Sequence, residues 1–122
     1  MMTSSGRPGQ NPRVLVVFLG LMLATACGGN SVGNDGDLVG GSCRDSGNCA
    51  DICLSGGDWP EGMCSVACRD DFDCPSETAC IDDEGGVCLL LCDFDTDCRR
   101  GYECDDESRR GHPGNATVCV KD

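Results

Sequence analysis

The spacing of the cysteines constrains this chain more than any other feature of the sequence. Four cysteines, from Cys64 to Cys80, recur 24 positions later from Cys88 to Cys104, and both sets have the spacing C-x3-C-x5-C-x5-C. Cysteine accounts for 13 of the 122 residues, and such a proportion in a short chain is typical of secreted disulfide scaffolds. Structural zinc sites need C-x2-C knuckles or several histidines, and the sequence has neither. We therefore predict disulfides, which form in an oxidising compartment and so require export.

The twelve cysteines that follow Cys27 divide into three units of four, at residues 43–64, 68–88 and 92–119. Five residues separate the first two cysteines in every unit, whereas ten, seven and fourteen residues precede the fourth, as expected of a loop. We predict disulfides within units, with the three pairings that four cysteines allow left open. The predicted disulfide cysteines are Cys43, Cys49, Cys53, Cys64, Cys68, Cys74, Cys80, Cys88, Cys92, Cys98, Cys104 and Cys119.

Residues beside the cysteines predict the local structure of each unit. The residue before the second cysteine is Asn48, Asp73 or Asp97, and the side chains of Asn and Asp form Asx turns with their own backbone. The residue before the fourth cysteine is apolar in every unit, which favours a short strand. We therefore predict a small disulfide-rich fold of three tandem four-cysteine units, with short β-strands, long loops and no large core.

The size of a unit explains why it needs cross-links. A segment of about 24 residues cannot bury enough apolar surface to fold without staples. Two disulfides per unit, each contributing roughly 3 kcal/mol for a loop of about 15 residues, would replace the missing core. Units stapled separately would form a quasi-one-dimensional array, in which damage to one unit stays local.

The N-terminal segment has the features of an export signal. Arg7 and Arg13 precede an unbroken apolar run of eleven residues at 14–24. That run is too short to span a bilayer, which takes about 20 residues, and fits the apolar region of a signal peptide. We predict a signal peptide at 1–26, and Ala24-Thr25-Ala26 has the A-x-A form of an ordinary cleavage site.

The residue after this site is Cys27, and the junction resembles the lipobox of bacterial lipoprotein precursors. The family pattern prefers leucine three places before the cysteine, where this chain has Ala24, and Leu23 lies one step earlier. The resemblance implies that Cys27 carries a diacylglycerol and an amide-linked acyl chain such as palmitate. Gly28 follows where the family has Asp for inner-membrane retention, which implies the outer membrane of a Gram-negative envelope. The odd number of cysteines agrees with lipidation of Cys27, because the twelve other cysteines can then form six disulfides with none left over.

The segment that follows is predicted to be a flexible linker at 27–42, anchored by its lipid. Residues 28–42 are rich in Gly, Asn, Ser and Asp and contain no aromatic residue. A flexible chain of this length spans about 20 Å on average. We expect it to hold the cysteine-rich domain, residues 43–122, away from the membrane.

The second unit carries a further pattern, C-x5-C-x5-C followed by C-x3-C. Its residues are Cys68, Asp71, Asp73, Cys74, Pro75, Cys80, Cys88 and Cys92. The pattern resembles part of a whey-acidic-protein (four-disulfide core) domain, although the adjacent Cys-Cys pair of that family is absent. The resemblance implies that Cys74 pairs with Cys88, which leaves Cys68 with Cys80. It also suggests an alternative function as a protease inhibitor.

Charge and composition exclude several functions. All 21 acidic residues but only seven of the nine basic ones lie after Cys27, so the exported part has a net charge of −14. This charge disfavours binding to nucleic acid and to anionic lipid. His112 is the only histidine, no C-x-x-C motif is present and no unpaired cysteine is expected. We therefore predict a protein that is not an enzyme, with no catalytic residues and no cofactor.

Alternating carboxylates at Asp93, Asp95 and Asp97 suit calcium. The EF-hand loop is not matched, because Cys98 fills its glycine position and Cys104 its final glutamate position. We predict no metal site, and calcium is the ion to test.

Two loops of variable length offer the candidate contacts with a protein partner. Trp59 lies in the first, with packing inside its own unit as the alternative, and Arg109 and Arg110 form a basic patch in the second. The prediction is a non-enzymatic, lipid-anchored cell-envelope protein with a disulfide-stapled binding or structural module. The alternative is an anchored or secreted protease inhibitor that uses the arginine loop.

Overall fold

The computed structural model describes residues 31–122, which form three antiparallel hairpins and three short 3₁₀ helices. The strands are β1 (Ile52–Leu54), β2 (Met63–Ser65), β3 (Thr78–Ile81), β4 (Val87–Leu90), β5 (Tyr102–Ser108) and β6 (Asn115–Lys121). The 3₁₀ helices are Ser46–Asn48, Asp71–Asp73 and Asp95–Asp97. Each unit is thus one 3₁₀ helix followed by one hairpin. Within the described range, no helix has the length and apolarity of a membrane span. The expected signal peptide and Cys27 lie outside these residues.

The third and fourth cysteines of each unit occupy directly opposite positions on the two strands of its hairpin. The facing pairs are Cys53 with Cys64, Cys80 with Cys88, and Cys104 with Cys119. The variable gap before the fourth cysteine is therefore the turn of the hairpin, together with part of both strands. The prediction of short strands near the fourth cysteine is confirmed.

Six disulfides connect the twelve cysteines, always first to third and second to fourth within a unit. The bonds are Cys43–Cys53, Cys49–Cys64, Cys68–Cys80, Cys74–Cys88, Cys92–Cys104 and Cys98–Cys119. The predicted pairing within units is confirmed, as are the two bonds that were expected for the second unit. Because paired cysteines are 10 to 21 positions apart, each bond closes a loop of the size that contributes about 3 kcal/mol. The predicted fold class is therefore correct.

The three units share one small core. It contains residues from every hairpin and from the spacer after the second unit, where Leu89 is fully buried. The buried Ser65 hydroxyl donates a 2.7 Å hydrogen bond to the carbonyl of Cys88, which joins the first two units. The third unit reaches the first through the Tyr102 hydroxyl, which donates to the carbonyl of Pro60 at 3.0 Å. The units are therefore packed on one another, in addition to being stapled individually.

Residues 31–42 are folded against the domain, so the prediction of a flexible linker is wrong for this part. Val39 is fully buried in the shared core. The backbone N–H of Gly40 donates to the carbonyl of Cys64, and the N–H of Cys64 donates to the carbonyl of Gly41. Composition suggested a tether because glycine is abundant here, yet at Gly40 glycine permits close packing. Its φ is +113°, and a Cβ would lie 2.7 Å from a methyl of Leu90.

Candidate functional site

The residue before the second cysteine closes a turn in each unit, but by a different hydrogen bond from the predicted Asx turn, in which the bonded N–H lies two residues later. Its side-chain oxygen accepts a hydrogen bond from the backbone N–H four residues earlier, at 2.9 Å in all three units. The pairs are Asn48 with Arg44, Asp73 with Arg69, and Asp97 with Asp93. These side chains fix the turn between the first and second cysteines of each unit, which gives them a structural role.

A second acidic position binds the hairpin that follows. Asp71 and Asp95 both accept a hydrogen bond at 2.9 Å from the backbone N–H of their unit's third cysteine, Cys80 and Cys104. The alternating carboxylates of units two and three therefore hold backbone N–H groups. The clusters of potential metal ligands within residues 31–122 are cysteine sulfurs that are joined in disulfides. The prediction of no metal site is not tested by this arrangement, and it stays a prediction.

Hydrogen bonding also changes the acidity of Asp97. Its carboxylate accepts hydrogen bonds from the backbone N–H groups of Asp93 and Phe94, which lower its pKa below the ordinary value. Asp97 therefore remains ionised down to a more acidic pH than a free aspartate does. The charge stays at the surface, on the last residue of the third 3₁₀ helix.

Arg109 and Arg110, expected to contact a partner, both form ion pairs with the second unit. The guanidinium of Arg109 donates to Asp71, and Nη1 of Arg110 donates to Oδ1 of Asp82 at 2.9 Å. Nε2 of His112 is 3.9 Å from Asp71. The basic loop thus joins unit three to unit two, and we call this set of ion pairs the clasp. The sequence could not indicate this pairing, because Asp71 lies 38 positions from Arg109.

Asp71 is the centre of this clasp. Partial burial raises its pKa, but the N–H of Cys80 and the charge of Arg109, with a contribution from His112, outweigh that effect and hold the pKa below its ordinary value. The carboxylate is therefore ionised at neutral pH. It joins the second hairpin to the loop of the third.

Trp59 is buried, so the expected contact with a partner is wrong for this residue. Only 3% of its surface is exposed, and its indole Nε1 donates to Oε2 of Glu84 at 3.3 Å. The exposed large apolar side chains of the described region are instead Phe72 (93%), Phe94 (69%) and Leu91 (49%). The sequence analysis missed these residues. For the two phenylalanines, the sequence signal was the aspartate on either side, which is typical of a turn at the surface.

An acidic cleft of about 320 Å³ lies where the three units meet. Its lining consists of Asp58, Trp59, Asp83, Asp105, Glu107, Val120 and Lys121. Partial burial, together with the charges of Asp105 and Asp83, raises the pKa of Glu107. The cleft therefore concentrates negative charge beside the edge of a buried indole.

A second groove, of about 440 Å³, lies between units two and three. Leu91 lines it together with Asp93 and Asp97. The carbonyl of Asp97 accepts a 2.9 Å hydrogen bond from the side-chain amide of Asn34, near the start of the described chain. Asn34 thus bonds to one of the residues that line this groove.

The chain is a small, disulfide-bonded domain of repeated four-cysteine units, and its six disulfides indicate an exported protein. No protein-family model, no curated protein and no solved structure matches it.

Proposed function

We propose that this chain is a non-enzymatic lipoprotein, anchored to the cell envelope by a lipid on Cys27, with a disulfide-stapled binding or structural module. One observation carries the proposal. Twelve of the thirteen cysteines are joined in six disulfides within units. Cys27 therefore has no disulfide partner left among them, and a thioether to diacylglycerol would use its thiol.

The sequence around Cys27 supports the same proposal. The cysteine follows directly on Ala24-Thr25-Ala26, which begins at the last residue of the apolar run at 14–24. Two or more acyl chains on one residue make anchoring stable, because each buried CH₂ contributes about 0.8 kcal/mol. An outer-membrane location follows from Gly28, in the position where the lipoprotein family carries its retention signal.

Side-chain chemistry supports a non-enzymatic role. Every cysteine of the described region is oxidised and therefore cannot act as a nucleophile. His112 is beside a carboxylate that already binds Arg109. The protease-inhibitor alternative depends on arginines that are held in ion pairs, so we place it second to a module that binds or spaces.

Metabolic labelling tests the proposal. The full chain, expressed in a Gram-negative host with radiolabelled palmitate, should be labelled, and Cys27→Ser should not be. Ala24→Leu, which supplies the leucine that the family prefers, serves as a positive control and should keep the label. Both variants should contain six disulfides, and Cys27→Ser should differ from wild type only at the anchor. An unlabelled wild type, or a labelled Cys27→Ser variant, would refute lipidation.

A further inference from the structure

The described structure leaves little chain between Cys27 and the folded domain. Three residues, 28–30, separate Cys27 from Ser31. Four fully extended steps of the chain span at most about 14 Å. Asn34, three residues further on, is already bound to the carbonyl of Asp97. A lipid on Cys27 would therefore hold this side of the domain close to the bilayer surface.

Two exposed apolar residues, Phe94 and Leu91, lie near Asp97, the residue that binds Asn34. Phe94 exchanges two hydrogen bonds with Asp97, because its N–H donates to the Asp97 carboxylate at 3.0 Å and its carbonyl accepts from the Asp97 N–H at 2.9 Å. Phe94 and Asn34 thus both bind Asp97. The surface of Phe94 is 69% exposed. Leu91, which is 49% exposed, lines the groove that also contains Asp97. We name Asn34, Leu91, Phe94 and Asp97 the anchor-side face.

We infer that the anchor-side face rests on the surface of the bilayer that holds the lipid, with Phe94 and Leu91 in contact with the interfacial layer. This inference rests on the proposed lipidation of Cys27. The partner is a bilayer surface of zwitterionic lipid, because Asp93 and Asp95 beside Phe94 carry negative charge that anionic headgroups would repel.

The contact can be weak and still orient the domain. A short tether makes the second contact intramolecular, with an effective concentration in the millimolar range. One aromatic and one aliphatic side chain add apolar contact to an anchor that is already in place. The aspartates on either side of Phe94 keep the contact shallow, since their charges remain in water.

Tryptophan scanning tests the orientation. Full-length lipidated Phe94→Trp and Phe72→Trp would be purified from membranes and reconstituted into phosphatidylcholine vesicles with brominated acyl chains. Phe72 is the matched control, because it is also an exposed phenylalanine between aspartates but lies in the 3₁₀ helix that is bound to Arg109. The buried Trp59 is common to all samples, and wild-type emission is subtracted. We expect bromine to quench the emission of Phe94→Trp about twofold and to leave that of Phe72→Trp unchanged.

The outcomes separate the two proposals. If intact mass shows no lipid on Cys27, the proposed function fails, and the inference fails with it. If the lipid is present and Phe94→Trp is not quenched, only the inference fails. Equal quenching of both variants would overturn it as well, since the domain would then have no preferred face. A blue shift of Phe94→Trp without quenching, together with dimers in detergent, would assign the face to a second copy of the chain and also overturn it.

Discussion

The polar residue before the second cysteine has a structural role that either a neutral Asn or an acidic Asp can fill. Asn48 and Asp73 make the same 2.9 Å hydrogen bond to the backbone N–H four residues earlier. The side chain therefore acts through the position of its oxygen. The ion pair between Arg69 and Asp73 is 3.7 Å long and exposed, and pairs of this kind contribute little.

Substitution at Asp73 separates these two contributions. We expect Asp73→Ala to lose about 1 kcal/mol of folding stability, because the N–H of Arg69 loses its acceptor. Asp73→Asn keeps the oxygen and should remain close to wild type. The midpoint of guanidinium unfolding under non-reducing conditions measures both. An Asp73→Asn variant as unstable as Asp73→Ala would show that the charge, and not the hydrogen bond, carries the effect.

Acidic pH should weaken the clasp and the turns together. The pKa of Asp71 and the pKa of Asp97 both lie below the ordinary value of 3.8 in the folded protein. Each carboxylate therefore contributes stability that is fully present above the unfolded pKa and is lost as the pH falls through the lower, folded pKa. We expect the guanidinium midpoint to be constant from pH 7 to about pH 5 and to fall below pH 4.

A double variant, Asp71→Asn with Asp97→Asn, is the control for this pH dependence. Its neutral amides cannot titrate, so its midpoint should fall less between pH 5 and pH 2 than that of the wild type. The same fall in both proteins would assign the acid sensitivity to other carboxylates.

At the residue scale, local roles could be predicted and burial could not. The turn at Asn48, Asp73 and Asp97 depends on atoms within four positions, and the sequence analysis located it at the right residues, although the hydrogen bond runs to the N–H four residues earlier and is not that of an Asx turn. The environment of Trp59 depends on Glu84, which is 25 positions away in the next unit. The sequence left open whether Trp59 contacts a partner or packs inside its own unit, and its burial with a hydrogen bond to the second unit decides the question.

At the scale of elements, the segment at 31–42 is part of the folded domain and packs against its core. Val39 is its fully buried apolar side chain, and the backbone N–H and carbonyl of Cys64 are its hydrogen-bonding partners. Glycine-rich composition alone indicated a tether, because one buried valine produces no periodic pattern. The short strands at the fourth cysteines were easier to predict, since an apolar residue precedes each of these cysteines.

Val39→Ala should release this segment. Removal of two methyl groups from a fully buried side chain costs about 1–2 kcal/mol. We expect faster hydrogen exchange at Gly40 and faster proteolysis within 31–42, while the hairpins keep their protection. Ser42→Ala, at an exposed position of the same segment, is the control and should change neither rate. Equal rates in Val39→Ala and the wild type would mean that the segment is not held by its valine.

At the scale of the whole molecule, the units depend on one another more than their tandem order suggests. The fully buried Val118 of the third unit belongs to the same core as Leu89 and Val87. The N–H of Arg110 donates to the carbonyl of Cys80, and the N–H of Asp82 donates to the carbonyl of Ser108. Damage confined to one unit, as expected of separately stapled repeats, conflicts with these shared contacts.

Loss of one disulfide should therefore spread. Cys98→Ala with Cys119→Ala removes the bond that closes the longest loop and leaves no free thiol, at a cost of about 2–5 kcal/mol. We expect faster proteolysis within 68–88 as well as within 92–119. The control is the pair Cys43→Ala with Cys53→Ala, which removes the bond of shortest separation and should destabilise the protein less. Protection of 68–88 that equals the wild type would restore the model of independent units.

The crossed pairing of first with third and second with fourth cysteines also governs how the protein is made. A chain that enters the oxidising compartment amino end first delivers Cys43 and Cys49 before Cys53. An oxidant acting on the first two thiols would join cysteines that are not partners in the finished protein. The native bonds then require thiolate attack on the wrong ones, which takes seconds to hours depending on the isomerase. A host that supplies an oxidant without an isomerase should accumulate scrambled chains, so the yield of this protein is set by disulfide exchange.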